Sequence, residues 1–140
     1  MKKLLTLSLI AFVAIFLFSC GGGGATKYSI VGKWQIFEKN GEAMEDEFSK
    51  ATIFNFKADG TIGIEMGGME MGKFTYATEP AGSFTKITIT AEQDKIPGAF
   101  SFEDNGNVLI LKTNDSGDAF PVNMNQETGF TVEKYRKQTQ

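Results

Sequence analysis

The chain contains no histidine, and Cys20 is its only cysteine. The first absence removes the commonest general base and the commonest transition-metal ligand. The second rules out an internal disulfide and leaves, at most, a single thiol to act as a nucleophile. No serine stands in a G-x-S-x-G setting or beside a plausible base. Basic residues are outnumbered too: Lys and Arg total 14 against 17 Asp and Glu, a net charge of −3. That balance argues against nucleic acid as a partner, because phosphate binding needs the opposite sign. Carboxylates are plentiful, but Glu42, Glu45, Asp46 and Glu47 share one loop, and Asp115 and Asp118 flank Ser116-Gly117. The first group reads as solvated charge and the second as a turn, ahead of an acid/base pair or a calcium site. No enzymatic activity, cofactor or metal is expected.

After Cys20 no sustained apolar period of 3.6 residues occurs, which excludes a helical domain. The pattern is instead one of two-residue alternation. In Ser29 to Phe37, Ile30, Gly32, Trp34 and Ile36 share one face, and this run carries the only tryptophan. Further short runs follow at Ile53–Lys57, Thr61–Met66, Met71–Tyr76, Phe84–Thr90, Ile96–Phe102, Val108–Leu111, Phe120–Met124 and Phe130–Arg136. In Phe120–Met124 the grouped face is Phe120, Val122 and Met124, with Pro121 on the outward parity. Asn40-Gly41, Asp59-Gly60, Gly67-Gly68, Asn105-Gly106, Ser116-Gly117 and Thr128-Gly129 punctuate them, and such pairs accept the positive φ of tight reversals. The spacing predicts an all-β domain, an antiparallel up-and-down β-barrel of eight to nine short strands, because closure removes exposed edges. One longer excursion, Lys39 to Lys50, has no β pattern and suits a single helical turn or a lid.

Ahead of the strands, Lys2 and Lys3 precede an apolar run from Leu4 to Phe18, which stops at Ser19-Cys20-Gly21. A charged start, a short apolar core and a small residue at the break describe a secretory signal. The segment resembles a bacterial lipoprotein signal, which is cleaved before a cysteine that is then acylated. That resemblance implies a signal peptide over 1–19, a lipidated Cys20 with a Gly-rich tether over 20–27, and a domain over 28–137. Acyl chains such as palmitate would hold the protein to the membrane, each buried methylene contributing about 0.8 kcal/mol. The expected location is the bacterial cell envelope, lipid-anchored at the outer membrane, with the periplasmic and surface faces both open. Without Lys2 and Lys3 the basic residues fall from 14 to 12 against 17 acidic ones, a net charge of −5.

Gly32-Lys33-Trp34 on the first strand resembles the G-x-W motif of lipocalins and their calycin relatives. Phe54-Asn55-Phe56-Lys57-Ala58-Asp59-Gly60-Thr61 is similar to a second hairpin found in small lipocalin-like lipoproteins. The resemblance implies barrel closure by Gly32, Trp34 and a basic residue of the last strand. Arg136 is the expected partner and Lys134 the substitute, both on the parity of Phe130 and Val132, the expected inward face of that strand. It further implies a small hydrophobic ligand in the barrel, such as a lipid, facing Phe54, Phe56, Ile62, Ile64, Phe74, Phe100 and Phe102. The alternative is an envelope module for structure or protein interaction, its barrel filled by those same aromatics and its outer face meeting another envelope protein. Met66, Met69 and Met71 surround one hairpin; thioethers suit a soft ion such as Cu(I), but a flexible hairpin is the plainer reading.

Overall fold

Two-residue alternation and positive-φ turns together shape the protein, which a computed structural model describes over residues 27–139. The strands are β1 (Gly32–Lys39), β2 (Glu42–Ala43), β3 (Thr52–Phe56), β4 (Thr61–Met66) and β5 (Met69–Ala81), then β6 (Phe84–Ala91), β7 (Asp94–Glu103), β8 (Val108–Thr113) and β9 (Thr131–Lys137). Each strand from β3 to β8 pairs antiparallel with the next, and β1 pairs with both β3 and β9. Eight strands therefore close an antiparallel barrel, and β2 is a two-residue extra strand on β1. Hairpins form where left-handed backbone is tolerated: Asn40-Gly41 has φ 50 and 81, and Gly67-Gly68 has φ 59 and 82. Two reversals carry weaker signals, at Gly82 (φ 77) and Glu92 (φ 57).

The inward faces follow the alternation. Ile30, Trp34, Ile36, Phe56, Ile62, Ile87, Phe100, Leu109, Leu111 and Tyr135 form one buried cluster. The Lys39–Lys50 excursion carries the expected helical turn, as the short helix α1 (Glu47–Ala51), and adds β2, where the sequence has no β pattern. Asp46 caps α1 by accepting from the Ser49 amide at 2.9 Å and the Ser49 hydroxyl at 2.7 Å. Those two bonds hold its carboxyl below the usual carboxylate range.

Two expectations need correction. Phe120–Met124 is not a strand, and its predicted facing is reversed: Pro121 is fully buried while Val122 is 74% exposed. Side chains take up its backbone groups instead. Asn123 Oδ1 accepts from the amides of Asn125 and Gln126, and Gln126 Oε1 accepts from the Val122 amide. The segment is tied to the barrel wall by Lys112, whose Nζ donates to the Gln126 carbonyl at 2.6 Å. Lys112 is 2% exposed, and this burial pushes its ammonium pKa down.

The facing of β9 is also opposite to the prediction. Tyr135 points inward and is 2% exposed, whereas Arg136 is exposed. Phe130 set the predicted parity, yet it lies outside the strand, which starts at Thr131. The bulky apolar-bodied residue of the strand proper is Tyr135, and burying its ring decides the face.

Candidate functional site: an open half of the barrel

One end of the barrel is filled. Trp34 is fully buried, and its Nε1 donates to the Ile30 carbonyl at 2.7 Å. Phe102 lies 5.9 Å from the Trp34 ring and 5.9 Å from Tyr28, and Phe100 lies 5.6 Å from Phe102. Tyr28 covers Gly106, where a Cβ would come within 2.5 Å of its ring. Gly32, at φ 145, sits where glycine alone is comfortable. The cation across Trp34 is Lys137, with Nζ 5.7 Å from the ring centroid. Arg136 instead lies 4.6 Å over Phe37 on the outer wall, and Lys134 pairs with Glu38 at 3.0 Å. Register explains the exchange, since Lys137 is the Cα partner of Trp34.

The other end contains a cavity of about 170 Å³. Phe54, Phe56, Ile62 and Phe74 line one side, and Ile89, Ile96, Leu111 and Tyr135 the other. Ala91, Thr113, Asp115 and Glu133 complete the lining. The finish of β6 and β8 and the start of β7 and β9 supply most of this lining, on the side away from the start of β1, while Phe54 is also the Cα partner of Trp34. Of the seven residues expected to face a ligand, Phe54, Phe56, Ile62 and Phe74 reach the cavity. Ile64, Phe100 and Phe102 do not; the last two pack at the Trp34 end. Sequence reasoning missed the β6, β7, β8 and β9 contributions. Ile89 and Ile96 could have been found from their parity, whereas Asp115 and Glu133 carried no signal.

A β-bulge builds the polar edge of the cavity. In the β1–β9 pairing, Tyr135 faces Ile36 but Lys134 faces Glu38, so Phe37 is the extra residue. The bulge makes Lys39 the Cα partner of Glu133, which lines the cavity. Lys39 Nζ pairs with Glu133 Oε1 at 3.2 Å, and the Tyr135 hydroxyl donates to Glu133 Oε2 at 2.5 Å. Asp115 Oδ2 accepts from the Thr131 hydroxyl at 2.9 Å. Burial above all, with the negative charge of Glu133 next, pushes the Tyr135 phenol well above its ordinary value.

Around this rim several apolar side chains face solvent, among them Phe48 on α1 and Met69 and Met71 on β5. Met66 and Met69 are register partners across the hairpin, and Met71 is the extra residue of a second bulge. Among the described residues, no group of three His, Cys, Asp or Glu converges to hold a metal ion. The expected signal peptide, Cys20 and the glycines of the expected tether lie outside the described residues. The molecule is a closed eight-stranded antiparallel barrel with one filled and one hollow half. No protein-family model, curated protein or solved structure matches the chain.

Proposed function

We propose that this protein is a lipid-anchored, lipocalin-like lipoprotein of the bacterial envelope that binds one small apolar ligand in the hollow half of its barrel. The cavity opposite Trp34 carries the reading: about 170 Å³ with aromatic and aliphatic walls. A cavity of about 150 Å³ with such walls accommodates benzene, so the ligand is ring-sized rather than a whole fatty acid. Closed eight-strand topology, the Gly32-Lys33-Trp34 run at the filled end and the Cys20 signal support the lipocalin and lipoprotein parts of the reading.

Titration with toluene tests the cavity. Saturable shifts confined to the side chains of Ile89, Ile96 and Tyr135 are expected, and Ala91→Phe, which fills the mouth, should abolish them while far-UV dichroism is unchanged. No saturable shift in the parent protein overturns the ligand reading. Cys20→Ser should likewise lose incorporated radiolabelled palmitate; retained label would overturn the anchor. A second reading, a protein-interaction module of the envelope, is favoured by Phe48, Met69 and Met71, three large apolar side chains each more than 60% exposed at the open rim. It takes precedence if toluene does not bind.

A further inference from the structure

The polar edge of the cavity is not neutral, and its charges are unequally engaged. Glu133 is used on both oxygens, by Lys39 on Oε1 and by the Tyr135 hydroxyl on Oε2. Asp115 accepts only from Thr131, on Oδ2. An ionised carboxylate offers about four acceptor positions, so Asp115 keeps acceptor capacity where it lines the cavity. Among the described residues it has no ion-pair partner. Its charge also contributes to raising the phenol pKa of Tyr135, which places it within electrostatic reach of the cavity wall.

We infer that the cavity selects a compact apolar amine, its ring or short chain against Phe54, Phe74 and Ile96 and its ammonium group on Asp115. The inference rests on the reading of the cavity as a binding site. An apolar carboxylate fits poorly, because its anion would face Asp115 and Glu133 while the nearby cation, Lys39, is already paired with Glu133. A neutral ring fills the same volume but leaves the free acceptors of Asp115 to water. The amine satisfies both parts of the site, and like-charge exclusion discriminates against the anion.

Three probes sharing one ring, toluene, benzylamine and benzoate, separate these cases. Each is titrated into the full-length protein, with the Ile89 and Ile96 methyl resonances as readout. Benzylamine should bind about fivefold more tightly than toluene, the size of one exposed charge pair, and benzoate should bind more weakly than toluene. Asp115→Asn keeps an oxygen for the Thr131 hydroxyl; it should bring benzylamine to the toluene level. Equal binding of toluene and benzylamine, or a preference that survives Asp115→Asn, overturns the amine inference while the apolar cavity stands. If none of the three probes moves the methyl resonances, the inference falls together with the binding reading.

Discussion

The two ends of this barrel are built from the same kinds of residue and yet differ in filling. At the Trp34 end, Phe102 meets a large indole that is hydrogen-bonded to its own strand entry, Tyr28 and Phe100 pack on Phe102, and Leu109 is buried in the same cluster. At the other end, Phe54 meets Tyr135 edge-on at 5.3 Å, but no residue of tryptophan's size reaches the axis, and space remains. An eight-strand barrel is wide enough to fill itself or to hold one small ligand. A single large ring, placed at one end, decides which half does which.

The strongest way to break this comparison is to truncate one aromatic at each end. Trp34→Ala should destabilise by about 3–5 kcal/mol, the cost of removing a large buried ring. Phe74→Ala removes a half-buried ring beside a cavity that already exists, and should cost about 1–2 kcal/mol. Urea melts of the two variants check the order; equal losses would mean the ends do not differ in packing.

Ionisation separates the interior from the outer wall. The Tyr135 phenol is raised in the folded state, so its stabilisation is complete below the ordinary value of 10.0 and is lost as pH rises through the folded value. Glu65 runs the other way. Hydrogen bonds from Lys33 and Asn55 lower its pKa, so its contribution is present above the ordinary 4.5 and is lost as pH falls through the folded value. Melting temperature should therefore decline above pH 10 for the parent chain and less steeply for Tyr135→Phe. An unchanged alkaline limb in that variant would remove Tyr135 as its cause.

The smallest effect concerns the cation at the filled end. Lys137→Ala should cost about 0.5–1 kcal/mol and shift the Trp34 emission, whereas Arg136→Ala should leave that emission alone. The reverse result would return Arg136 to the position opposite Trp34.

Much of the fold was legible because alternation and turn chemistry are local. Asp59-Gly60 and Gly67-Gly68 mark reversals on their own, and Thr61–Met66 coincides with β4 residue for residue. Phe120–Met124 misled because its apolar residues look like a strand, while Asn123 and Gln126 satisfy the backbone without one. A third of the site was legible for the same reason: Phe54, Phe56, Ile62 and Phe74 lie within the two hairpins of β3, β4 and β5, where parity can be read directly.

The sequence by itself determined an all-β chain, the places of most reversals, and Trp34 as the large ring of the first strand, since each follows from neighbours within a few residues. Tertiary structure alone decided that Lys137 rather than Arg136 covers that ring, that Lys39 meets Glu133, and that Asp115 borders a cavity. Those pairings depend on the register between β1 and β9, strands about a hundred residues apart in the chain, and on one bulge at Phe37. A one-residue slip in a strand exchanges its two faces, and nothing local reveals it.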